Sequence, residues 1–119
     1  MVKSNSTWCV LMITAIALGA CSGTPKPKTE IALSNAAVQN AEVAGATDLA
    51  PIELRTAKEK QALANSALSS KNYLSAKQLS EQAAVDAELA KAKSEAEKSR
   101  AAVKEIEDSI SVIRAELEQ

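Results

Sequence analysis

Apolar positions divide the chain into two regimes. Residues 8–20, WCVLMITAIALGA, form an almost unbroken apolar run. Beyond it, apolar residues recur every three or four positions among Lys, Glu, Gln and Ser, the period of an amphipathic helix. That spacing predicts three helices. The first covers about 30–44, with Leu33, Ala37, Ala41 and Ala44 on one face. Thr29 is its expected N-cap, Glu30 suits the positive end of its dipole, and Gly45 is its stop. The second runs over about 51–69, because Pro51 fits a first helical turn. Asp48 is expected to cap the turn before it, and Leu54, Ala57, Ala64 and Leu68 form its stripe. Ser69-Ser70-Lys71-Asn72 breaks the pattern, and Asn72 caps a third helix. From Tyr73 onward there is no Pro or Gly, so this helix is predicted over about 73–118.

The third helix carries more than one apolar stripe. Ala76, Leu79, Ala83, Ala87 and Ala90 are expected to pack back on the second helix, with Tyr73 at the junction. Val85, Leu89, Ala92, Ala96, Ser99, Val103, Ile106, Ile110, Ile113 and Leu117 follow spacings of four and three throughout. That is the heptad seam of a coiled coil. Neither short helix reaches the far end if both pack near residues 73–95. The stripe Val103, Ile106, Ile110, Ile113, Leu117 is then left without an intrachain cover. Either another chain covers it or the helix end frays, and the expectation is a protein partner or a homo-oligomer. Ile at both seam positions leans toward three or more strands, while Ala92, Ala96 and Ser99 weaken the middle.

Composition agrees with helices and narrows what they can build. Alanine, the best helix former, occurs 24 times, against three glycines and no phenylalanine. Strong strand formers are few. The class is therefore all-α: a helical hairpin with a long C-terminal helix extending as a coiled-coil arm. Large side chains supply most burial energy, at roughly 1.5–3 kcal/mol each, so thin seams are expected rather than a deep core. Net charge is −1, with no basic block and only Trp8 and Tyr73 as aromatics. A nucleic-acid site lacks both its charge and its stacking platform.

Candidate chemistry is sparse. Without histidine the commonest general base and metal ligand is missing. Glu95-Ala96-Glu97 and Glu105-Ile106-Glu107-Asp108 are acidic, but sequence neighbours on a helix point to different faces. A raised carboxylate pKa also needs a low-dielectric pocket. No enzyme, metal or small-molecule substrate is expected. Lys91 with Glu95, Lys93 with Glu97, and Lys104 with Asp108 are i,i+4 pairs that keep a long helix soluble.

The apolar run at 8–20 follows a polar segment containing Lys3 and ends in small residues, the layout of a secretory signal. It is shorter than the ~20 residues a membrane-spanning helix needs. Leu18-Gly19-Ala20-Cys21 resembles the bacterial lipobox. The resemblance implies that residues 1–20 are removed, taking Cys9 with them. Cys21 becomes the new N-terminus, carrying a diacylglyceryl group on sulfur and an N-acyl chain. A single acyl chain anchors only marginally, and two or more anchor firmly. Ser22, where an aspartate resembles an inner-membrane retention signal, implies the outer membrane and its periplasmic face in a Gram-negative source. Residues 21–29 form a tether in which Pro25 and Pro27 favour extended backbone, at about 3.1 Å per residue.

Residues 50–92 carry the pattern Ala50-Pro51-x-Glu53-Leu54, Ala57, Tyr73-x-x-Ala76, then Ala83-x-x-Asp86-Ala87-x-Leu89-Ala90. It resembles a family of bacterial lipoproteins that share a small helical domain of unknown function. In longer relatives that domain precedes an OmpA-like peptidoglycan-binding domain, for which this sequence shows no counterpart before Gln119. Leu63-Ala64, Ala67, Tyr73, Ala76 and Ala83 also look like part of one tetratricopeptide hairpin, although a stable solenoid needs at least three repeats. The resulting expectation is an outer-membrane lipoprotein with a structural or adaptor role in the envelope. The alternative is a regulatory lipoprotein docking on an envelope enzyme or secretion complex. Covalent attachment to peptidoglycan, as in the small coiled-coil lipoprotein of enteric bacteria, uses a terminal lysine, and here Leu117-Glu118-Gln119 stands instead.

Overall fold

The computed structural model describes residues 24–118. Four helices follow one another: α1 Lys28–Val43, α2 Ala46–Leu49, α3 Pro51–Ser69 and α4 Tyr73–Leu117. No strand occurs among the described residues. At 1.5 Å per residue the 45 residues of α4 span about 68 Å. The bundle occupies only its N-terminal half, where α1 and α3 lie along it. The last buried residue of α4 is Ser94, and Glu95 to Glu118 project as an exposed arm.

The connections follow local chemistry. Gly45 adopts φ +84°, the left-handed conformation that ends α1, and its N–H donates to the Glu42 carbonyl at 2.9 Å. A Cβ on Gly45 would stand 3.3 Å from Lys98 Nζ, so α4 approaches this turn closely. The one-turn α2, only four residues long, is too short for apolar periodicity to mark. It forms as the Asp48 and Leu49 N–H groups fold back on the Gly45 carbonyl, both at 3.2 Å. Asp48 therefore sits inside a helix rather than capping α3, whose N-cap is Ala50 with no side-chain bond. Thr29 is likewise not a cap, because α1 starts at Lys28 behind Pro27, whose ring fixes its φ. Asn72 does cap α4, accepting from the Ser75 N–H at 3.3 Å.

Alanine dominates the buried face. Ala41, Ala57, Ala76, Ala83, Ala87 and Ala90 have no exposed surface, and among the described residues the larger apolar side chains buried with them are Val38 and Leu54 in the helices and Pro27 at the start of α1. Alanines let helix backbones approach closely, so dispersion between well-packed short side chains replaces the burial of large ones. Two expectations change here. The long helix packs on both α1 and α3, not on the second predicted helix alone. The buried face of α1 is also displaced by one residue: Leu33 is 61% exposed, while Ser34 and Val38 turn inward beside Ala37 and Ala41. A narrow gap lined with alanines admits Ser34 where a leucine would clash.

Candidate functional site

The chemistry-bearing feature of the molecule is α4, which presents two seams on opposite faces. The first is Ala76, Ser80, Ala83, Ala87, Ala90 and Ser94, all buried against α1 and α3. The second begins at Val85 and Leu89, two residues further on and so about 200° round the helix at 3.6 residues per turn. It continues through Val103, Ile106, Ile110, Ile113 and Leu117, every one exposed, from 46% at Ile110 to 81% at Leu117. Over 85–96 the short helices miss this seam because they occupy the other face. Beyond 96 they miss it because they have ended.

Three buried serines, which apolar periodicity does not mark, line this interface: Ser80 and Ser94 on α4 and Ser34 on the facing α1. Ser34 donates to the Ile31 carbonyl at 3.0 Å. Ser94, fully buried, donates to the Ala44 carbonyl and so satisfies an orphan acceptor at the C-terminal end of α1. Lys98, one turn on, lies beside the same end, where the helix dipole favours a cation. Ser80 Oγ is buried without a hydrogen-bond partner. The signal was present, since Ser80 and Ser94 stand at spacings of four from Ala76 and Ala90.

Ion pairs fix the register of the bundle. Lys58 reaches Glu42, tying α3 to α1. Lys60 Nζ lies 2.6 Å from Asp86 Oδ2, an ion pair not aligned as a hydrogen bond. Lys77 stands 3.7 Å from Glu30. Gln61 Nε2 donates to Asn35 Oδ1 at 2.7 Å. Lys93 donates to Glu53 across α4 and α3, replacing the expected partner Glu97, which instead accepts from Arg100. The Lys93 hydrogen bond, then one from the backbone, holds the Glu53 carboxyl below the usual carboxylate range. Lys91 with Glu95, and Lys104 with Asp108, pair as the spacing predicts.

Of the other residues singled out in the sequence, Leu54, Ala57, Ala76 and Ala83 are buried, and Tyr73 and Leu79 are half-buried at the bundle interface. Leu18, Gly19, Ala20, Cys21 and Ser22 lie outside the described residues. Among the described residues no group of three or more His, Cys, Asp or Glu is placed to hold a metal ion. No described helix is long and apolar enough to cross a membrane. The clefts are open surface grooves, such as one of about 460 Å³ where Leu49, Ile52 and the Glu53–Lys93 pair meet the root of the arm.

No curated protein and no solved structure matches the chain. A family model described as a domain of unknown function, DUF4398, matches residues 29–106, which takes in the whole bundle and the first part of the arm. The chain thus belongs to the DUF4398 family.

Proposed function

We propose that the protein is a lipid-anchored, outer-membrane lipoprotein of the periplasmic face, acting as a structural or adaptor element through helix–helix contacts rather than as an enzyme. The observation that carries this reading is the exposed seam of α4. Val103, Ile106, Ile110, Ile113 and Leu117 keep strict heptad spacing on the part of the helix whose residues are all exposed, the last buried one being Ser94. Exposed apolar surface costs about 25 cal/mol per Å², and a contiguous apolar strip of this kind marks an interaction site. The anchor is supported by the signal-like segment and by Leu18-Gly19-Ala20-Cys21.

Mass spectrometry of the mature N-terminus tests the anchor. The expected product begins at an acylated Cys21, and Cys21→Ala accumulates unprocessed precursor. An intact Met1, or a free thiol at residue 21, overturns the anchored reading. Photocrosslinking from position 110 in cells tests the contact. Adducts are expected there and not from Lys58 on the opposite side of the bundle.

A further inference from the structure

We propose that the exposed seam of α4 closes on further copies of this chain, parallel and in register. The proposal deepens the helix-contact reading and rests on it. Heptad positions follow from the spacing: Val103, Ile110 and Leu117 at a, Ile106 and Ile113 at d. The flanks are then fixed. Position g holds Glu88 and Glu95, and position e holds Lys93 and Arg100. In a parallel pair, g of one helix faces the e of the other that lies five residues on. Glu88 then meets Lys93 and Glu95 meets Arg100, each pair repeated by symmetry. The next two such pairs, Ala102 with Glu107 and Ser109 with Arg114, hold one charge each and repel nothing, and in the preceding pair, Glu81 with Asp86, each carboxylate is already matched within the chain, by Lys77 and Lys60.

Antiparallel arrangements are disfavoured by the same charges. Overlapping the whole seam that way pairs e with e and g with g. It sets Arg100 against its own copy and Glu88 against Glu116, repulsions that outnumber the one new attraction, Lys93 with Glu107, because Asp86, which would face Arg114, is already held by Lys60. A slip of one heptad sets Lys93 against Arg114 and Glu95 against Glu116, two repulsions against the single attraction of Arg100 with Glu107. Like charges in such positions set orientation.

Geometry leaves room for the parallel form. The helices α1 and α3 lie on the side of α4 opposite the seam, so a second copy approaches unobstructed. Each chain supplies seven exposed large apolar side chains, from Val85 to Leu117. They extend over about 50 Å at 1.5 Å per residue, consistent with a specific interface of about 1,200–2,000 Å² in total. Glu88 has no intrachain ion pair among the described residues. Lys93, half exposed, has donors left after Glu53. Ile at both a and d through 106–113 tips the count toward three strands.

The test uses the full chain, extracted in mild detergent and carrying either Val103→Cys or Leu117→Cys. Both positions lie beyond the bundle, so its melting midpoint serves as the folding control. Oxidation of each variant alone is expected to give disulfide-linked homodimers, because a faces a in a parallel pair. Arg100→Glu alone should weaken self-association by about tenfold, and adding Glu95→Arg should restore it. Linkage of Leu117→Cys only when it is mixed with Val85→Cys, the position it faces when the whole seam overlaps antiparallel, would mean an antiparallel pair and overturn the proposal. So would a monomer in sedimentation equilibrium. A monomer with lipid on Cys21 defeats self-association and leaves an anchored adaptor for a different partner. Homodimers without lipid on Cys21 defeat the anchor and leave self-association standing.

Discussion

Two residues are at odds with their surroundings, and each gives a measurable expectation. Ser80 has no exposed surface and a hydroxyl without a partner. A buried unsatisfied polar group costs about 1–3 kcal/mol, and alanine fits the seam that Ala76 and Ala83 already form. Ser80→Ala should therefore raise stability by about 1 kcal/mol, read as a higher melting midpoint by circular dichroism. Lys71 adopts φ +60° in the turn that ends α3. Its N–H donates to the Leu68 carbonyl at 3.0 Å, and the Asn72 N–H to the Ala67 carbonyl at 2.9 Å. This is the helix-ending turn that glycine normally serves. An L-residue there costs about 1–2 kcal/mol, partly offset by the extra freedom glycine has when unfolded. Lys71→Gly should gain about 0.5 kcal/mol in the same melt, whereas Gly45→Ala, at φ +84°, should lose stability.

Helices meet here through short side chains, so the bundle is sensitive to bulk rather than to loss of bulk. Ala83 is fully buried on α4. Ala83→Leu should destabilise the bundle by about 1–3 kcal/mol through overpacking, and an unchanged midpoint would mean that the helices have slack to separate. The pairing of α3 with α4 through Glu53 and Lys93 adds a dependence on pH. The folded carboxyl of Glu53 titrates below its ordinary range. The unfolded chain therefore binds its proton first as pH falls. The stability from this pair is full above the ordinary carboxylate range and is lost as pH falls through it toward the folded value. Glu53→Gln should lower the neutral-pH midpoint and flatten that part of the acid limb. An acid limb identical to wild type would show that the pair contributes nothing.

As a whole molecule the protein is a three-sided bundle with an arm, and the two halves of α4 owe their order to different neighbours. Residues 76–94 are held by α1 and α3 within the same chain. Residues 99–117 have no such support, and isolated helix ends open easily. Amide hydrogen exchange on the full chain should show protection of 76–94 that does not change with protein concentration. Protection of 99–117 should rise with concentration as copies associate. Uniform protection along α4 at all concentrations would mean that the arm needs no partner to stay helical.

Much of this was written in the one-dimensional pattern. Helix spans followed from the 3.6-residue period and from breakers such as Gly45, Pro51 and Ser69–Asn72, because these act within a few residues of themselves. The stripe Leu54, Ala57, Ala64 on α3 and the alanines of α4 were legible because periodicity marks a face. So was the exposed seam, since a strict heptad persists where no second intrachain helix is long enough to follow. What periodicity does not mark is the neighbour. On α1 it assigned Leu33 to the buried face, and the width of an alanine-lined gap gave that place to Ser34 and Val38. It pointed the long helix at one partner, and the left-handed turn at Gly45, with the short helix Ala46–Leu49, brought α1 to the same face beside α3. It paired Lys93 with Glu97 along the helix, and the approach of α3 supplied Glu53 instead. Local pattern determines which residues form helices and which faces are apolar. The choice of which face meets which helix depends on the fit of side chains far apart in sequence, and only the tertiary structure decides it.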